Sequence, residues 1–157
     1  MDTSVFDPQQ LPDNVIHNAD VLRSESGSLQ MRMTAPTVEQ YSKPERKTVY
    51  PEGLRMQLYD NYNHPTAVVT ARYAEQQDQR DIVLVRDSVV IIDLQSHDTT
   101  YLQELTWNRA THRIYSGKPL RQVSGERVTY GDAFESDDSL RAPRIIHQRG
   151  TIEWKDE

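Results

Sequence analysis

At 157 residues the chain has the length of a single domain with a real core, and a hydrophobic content of 36% suits strands that bury one face and wet the other. A formal charge of -6 excludes the basic footprint of a nucleic-acid binder, and the absence of cysteine excludes disulfide frameworks, thiolate metal sites and cysteine nucleophiles. No stretch approaches the roughly 18 apolar residues of a membrane-spanning helix.

Residues 1–14 are rich in Asp, Pro and Gln and read as a linker, with a single domain over 15–157. After turn residues at Ser24 to Gly27, strict alternation places Leu29, Met31, Met33 and Ala35 on one face against Ser28, Gln30, Arg32 and Thr34, the period of a half-buried strand. The pattern returns with Leu54, Met56 and Leu58, and again with Ala67, Val69, Ala71 and Tyr73. Next come Ile82 to Val85, a kink at Asp87-Ser88, and Val89 to Leu94, β-branched runs that predict the centre of a sheet. Ala71 to Gln79 and Tyr101 to Ala110 also contain helix formers at helical spacing. Neither has a cap followed by a full amphipathic stripe, so strands are expected there. Turn residues at Asp60 to Pro65, Gln95 to Asp98, Ser116 to Pro119, Ser124-Gly125, Gly131-Asp132 and Glu135 to Ser139 complete the signature of an open, antiparallel, all-β roll.

A repeat overlies these strands. A strand ends in a glycine or small polar kink and an apolar residue opens the next one: Leu54, Val89, Leu120 and Ile152, at intervals of 35, 31 and 32 residues. Units that cannot bury their apolar faces alone would stack into one continuous core.

The side chains that could carry chemistry are dispersed. His17, His64, His97, His112 and His147 each stand alone beside turn residues, without the paired spacing of a zinc site. His97-Asp98 has the composition of a base and its orienting acid, but no G-x-S-x-G accompanies it. Asp60, Asn61 and Asn63, and the pair Asp137-Asp138, carry oxygen ligands suited to calcium. Tyr62 breaks the EF-hand pattern and no glycine follows, so solvated turns are expected at both places. What remains is shape. An open roll with apolar faces can accept acyl chains, although a closed, dry sandwich shows the same alternation. A β-rich interaction or carbohydrate-binding module, with Tyr59, Tyr62 and Trp154 as contact residues, is the alternative.

Several short motifs occur in a fixed order: Tyr50 to Gly53 (YPEG), Leu105-x-Trp107, Ile114 to Pro119 (IYSGKP), and Gly131-x-x-Phe134-Glu135. Together, over about Asp13 to Lys155, they resemble the LptC family, periplasmic bridge proteins of lipopolysaccharide export, in a version similar to that of Bacteroidetes-type bacteria. Departures are Asp87, where a glycine is expected, and Thr100 and Leu102 ahead of the Leu-x-Trp strand. The resemblance implies a β-jelly-roll of V-shaped antiparallel strands with an apolar interior trough for lipid A acyl chains. It further implies no enzymatic activity and no cofactor, a periplasmic location, and an inner-membrane anchor ahead of the linker. Its implied partners are lipopolysaccharide, the subunits of an inner-membrane ABC transporter, and a following bridge protein of the same fold. The trough would be lined by Leu29, Met31, Met33, Leu54, Met56, Leu58, Val69, Ala71, Tyr73, Val89, Ile91, Leu105, Trp107, Ile114 and Phe134. The partner edges would lie at Ser28, Gln30 and Arg32 on one side and at Ile146, Gln148, Gly150 and Ile152 on the other.

Overall fold

The computed structural model describes residues 11–151. Fourteen strands follow one another: β1 (Asn14–Glu25), β2 (Ser28–Tyr41), β3 (Lys47–Tyr50), β4 (Leu54–Tyr59), β5 (Pro65–Ala71), β6 (Tyr73–Gln77), β7 (Ile82–Asp93), β8 (Thr99–Asn108), β9 (Arg113–Ser116), β10 (Leu120–Ser124), β11 (Arg127–Gly131), β12 (Ala133–Asp137), β13 (Arg144–Ile146) and β14 (Arg149–Thr151). All are joined antiparallel in one sheet. Both segments with helical spacing are strands, within β6 and β8.

A line of backbone kinks crosses this sheet and folds it into two arms. Asn18 (φ 54°) stands where the β1–β2 register skips Pro36, a residue with no N–H to offer the ladder. Gly53 (φ 86°) separates β3 from β4. Between β5 and β6 the N–H of Arg72 donates to the carbonyl of Asp87 across the kink, at 2.9 Å. Asp87 (φ 65°) and Ser88 (φ 57°) are both left-handed and together oppose the single residue Gln103, so β7 carries a bulge. This explains the aspartate where a glycine was expected, since Asp enters the left-handed region more readily than most residues. The Asp132 N–H donates to the Ile146 carbonyl at 2.9 Å, and the left-handed His147 (φ 56°) completes the line.

Four strands, β1, β2, β7 and β8, run through both arms. One arm adds β3, β6, β9, β12 and β13; the other adds β4, β5, β10, β11 and β14. Their inner faces meet in one hydrophobic cluster. Met33, Leu54, Ala71, Val89, Ile91, Leu102 and Leu120 come from the second arm, and Val38, Tyr50, Ala74, Val85, Leu105 and Phe134 from the first. The result is a β-jelly-roll-like sandwich of V-shaped strands.

Three of the four repeat openers occupy equivalent places. Leu54 and Val89 directly follow left-handed kinks, Leu120 opens β10 after the Gly117 to Pro119 turn, and all three are buried. The fourth unit is offset: its kink is at His147-Gln148, Gly150 lies within β14, and Ile152 lies outside the described residues. Two other expectations need correction. The alternation through Tyr73 breaks at Arg72, so Ala74, with 0% exposure, takes the inward position. Tyr73 turns to the outer face, where the Arg86 guanidinium lies 4.2 Å from its ring centroid. Ser28, Gln30 and Arg32 belong to β2, which is not an edge: it pairs with β1 on one side and with β4 and β3 on the other. β1 is the edge, and it showed no alternation because it is exposed along nearly its whole length, with only Ala19 packed on the core.

Candidate functional site

Period two and the strand registers put specific side chains next to one another on the inner faces. In the second arm one row runs across the sheet through Val21, Met33, Met56, Val69 and Ile91. The next row toward the strand tips is Arg23, Met31, Leu58, Ala67 and Asp93. The first arm opposes them with Val83, Trp107 and Ile114 in one row and Val85 and Leu105 in another. Between the arms lies a cavity of about 540 Å³. Its walls are Met31, Met56, Leu58, Ala67 and Val69 on one side and Val83, Val85, Leu105, Trp107 and Ile114 on the other.

The strand tips of both arms border this cavity with polar groups. Arg23, Glu25, Asp60, Asp93 and Gln95 come from one arm, and His112, Asp138, Ser139 and Arg141 from the other. Two of these carboxylates, Asp60 and Asp93, and Asp137 behind the rim shape their own turns. Asp60 Oδ1 accepts hydrogen bonds from the N–H groups of Tyr62 (2.8 Å) and His64 (2.9 Å), and those bonds, led by that from His64, hold the carboxyl below the usual aspartate range. Asp93 Oδ1 accepts from the N–H groups of Gln95 and Ser96 at 2.8 and 3.1 Å. Asp137 Oδ1 accepts from the N–H groups of Arg141 and Ala142, both at 3.0 Å, and its other oxygen accepts from the Ser139 hydroxyl. The turns expected at Asp60 and Asp137 are therefore carboxylate-capped, with one carboxylate oxygen of each taken by backbone donors. Among the described residues, no group of three or more His, Asp or Glu could hold a metal ion. Asp98, the would-be partner of His97, instead accepts a 2.5 Å hydrogen bond from the Ser124 hydroxyl.

An acid-sensitive rim follows from these bonds. Burial raises the Asp137 carboxyl, but the hydrogen bonds from Ser139, Ala142, Ser136 and Arg141 outweigh it, and the net shift is downward. A carboxyl lowered in the folded state contributes stability that is complete above its unfolded value of about 3.9 and is lost as pH falls through the lower folded value. Asp20, lowered chiefly by the Arg32 hydrogen bond, and Asp132, lowered chiefly by the Arg149 hydrogen bond, add to the same acid limb. Thermal melts of the wild type should therefore be flat from about pH 7 to 5 and fall steeply below about pH 4. The Asp137→Asn variant should start less stable and fall less between those acid values. Parallel acid limbs in the two proteins would show that Asp137 does not hold this loop.

A roll of V-shaped strands enclosing an apolar cavity is the architecture that the sequence motifs implied, and the whole-chain comparison agrees. The sequence matches the family described as "Lipopolysaccharide-assembly, LptC-related" over residues 7–153. The chain belongs to the LptC family. LptC proteins are non-enzymatic components of lipopolysaccharide transport in the cell envelope. Among curated proteins, no sequence match to the chain is found.

The LptC fold sorts the expected trough residues into four groups. Met31, Met56, Leu58, Val69, Leu105, Trp107 and Ile114 border the cavity. Met33, Leu54, Ala71, Val89, Ile91 and Phe134 face inward but are packed in the core. Leu29 is half-buried beside the β1–β2 hairpin, its N–H donating to Asn63 Oδ1 at 3.2 Å. Tyr73 faces away. Sequence reasoning missed Val83 and Val85, whose β-branched run pointed only to the centre of a sheet, and Ala67, whose small side chain was read only as alternation. Leu140 was also missed, because it sits in a loop with no periodicity to reveal it. The departures Thr100 and Leu102 are accounted for: Leu102 is in the core, and buried Thr100 accepts a hydrogen bond from Gln122 on the neighbouring strand at 3.0 Å.

The two sides of the roll end in strands with one partner each. Among the described residues, β1 pairs only with β2, while β13 pairs only with β12 and β14 only with β11. Val15, Ile16, Val21 and Leu22 of β1 are exposed. Ile146 ends β13, Gly150 lies in β14, and Gln148 sits in the kink between them, donating from Nε2 to the Ile145 carbonyl at 3.3 Å. Of the aromatic residues in the alternative reading, Tyr59 borders the cavity, Tyr62 is 80% exposed on the β4–β5 loop, and Trp154 lies outside the described residues.

Proposed function

We propose that this LptC-family chain holds the acyl chains of lipopolysaccharide in the cavity between its arms, receiving the lipid from an inner-membrane ABC transporter and passing it to a bridge protein of the same fold. The observation that carries the reading is the cavity of about 540 Å³ walled by apolar side chains from both arms. That size lies within the roughly 300–1,000 Å³ of ligand pockets, and each buried methylene contributes about 0.8 kcal/mol, so hydrocarbon is the chemistry it suits. The two singly paired sides support a relay. An unpaired strand edge can add a strand from a neighbour, and β1 on one side and β13–β14 on the other offer such edges. In this reading β1 faces the transporter, and Ile146, Gln148, Gly150 and Ile152 face the next bridge protein. The segment ahead of β1 serves as the linker to an inner-membrane anchor, and the roll from Asn14 onward as the carrying domain.

A photo-crosslinking residue at Leu105, on the cavity wall, is expected to capture lipopolysaccharide in living cells. The same residue at Arg55, exposed on the outer face of β4, should capture far less. Equal adducts at the two positions would sink the reading.

A further inference from the structure

The β12–β13 loop is built to put one apolar side chain where the cavity meets its polar rim. Leu140 has a left-handed backbone (φ 59°), an unfavourable conformation for a leucine, and yet it packs against the hydrophobic core cluster and borders the cavity. Its neighbours show what holds it there. The Asp137 carboxylate gathers the loop through the N–H groups of Arg141 and Ala142 and the hydroxyls of Ser136 and Ser139. The Leu140 N–H donates to the Asp137 carbonyl at 3.1 Å. Asp138 ties the loop to the adjacent tip of its arm: Oδ2 accepts from the Trp107 indole N–H at 3.3 Å and lies 2.9 Å from His112 Nδ1, and the Asp138 N–H donates to the His112 carbonyl at 3.0 Å. A short polar loop is thus clasped at two points and spends an unfavourable backbone conformation on a single leucine directed at the site.

We infer that Leu140 is a stopper: it occupies hydrocarbon space at the mouth of the empty cavity and must swing out when an acyl chain enters. This rests on the lipid-holding reading and adds to it a gate with a named residue. With the stopper in, part of the apolar wall is covered by the protein's own side chain, and loading replaces one apolar occupant with another. Entry is limited by the fraction of molecules in which the stopper is out, which reduces the apparent affinity by that fraction.

The test uses the whole chain and dansyl-labelled undecanoic acid, with binding followed by dansyl fluorescence at equilibrium and in stopped flow. Leu140→Gly is the main variant, because glycine accepts the left-handed backbone without strain and carries no stopper. It is expected to bind the probe about five- to tenfold more tightly than wild type, through faster association. Leu140→Met, which restores a side chain of similar volume, should return to wild-type behaviour. If Leu140→Gly melts below the assay temperature, Leu140→Ala is read by the same criterion. Wild type that binds the probe, with Leu140→Gly binding equally or less tightly, would make Leu140 an ordinary wall residue and overturn the stopper while leaving the lipid reading intact. Failure of every protein to bind the probe would overturn both.

Discussion

Replacing Gly53 with alanine is expected to cost about 3 kcal/mol or more of stability, a loss large enough to threaten folding of a domain of this size. Two effects combine at this one position. Its φ of 86° is far from the conformations an L-residue prefers, a penalty of about 1–2 kcal/mol. A Cβ built there would also overlap the Ala71 carbonyl oxygen and press on the backbone of Arg72, at the place where β5 turns into β6. Backbone on both sides cannot yield as a side chain could, so the kink that joins the two arms would have to open. Gly125→Ala is the matched control. Gly125 also has a positive φ, of 62°, but nothing lies within 4 Å of its Cβ position, so only the conformational penalty of about 1 kcal/mol applies. Urea denaturation of both variants separates the terms. Equal losses would show that close packing at the kink does not hold the arms together.

Val69→Asp is expected to leave a folded domain that no longer holds lipid, with dansyl-undecanoate affinity reduced by at least about tenfold, which corresponds to 1.4 kcal/mol. Val69 stands in the middle of an inner row, between Met56 and Ile91, and borders the cavity. A carboxylate placed there can draw water into the empty cavity and so avoid much of the cost of burial, but an acyl chain would have to displace that water. Val89→Asp marks the contrast. Val89 is fully buried and is not one of the residues that wall the cavity, and an unpaired charge there should prevent folding. Far-ultraviolet circular dichroism and a cooperative melt establish which variant folds. Val69→Asp with undiminished probe binding would mean that the cavity between the arms is not where hydrocarbon sits.

The strands and their inward faces were largely legible in the sequence, and the reason is local. Alternation at Leu29 to Ala35, at Leu54 to Leu58 and at Ala67 to Ala71 reflects a period that each strand carries by itself, whatever its neighbours are. The motifs from Tyr50 to Gly53 and from Gly131 to Glu135 were legible because they mark kinks, where only particular residues fit. Gly53 is one such place and Gly131, packed against the Ile145 side chain, is another. β1 was hidden because an exposed edge strand carries no apolar period.

By itself, then, the sequence determined an antiparallel all-β roll, the positions of most of its kinks, and the family to which it belongs. The tertiary structure decided which inward residues face a cavity and which are packed, since Met56 and Met33 share a row and a period yet only Met56 borders the open space. It also decided that Tyr73 points outward, because one bend at Arg72 resets the phase of β6. Edges were decided at the same level, since being an edge is a property of what is absent alongside a strand and not of the strand's own residues. Leu140 belongs with these: its position comes from a carboxylate that gathers backbone donors several residues away, a geometry that leaves no repeating pattern along the chain.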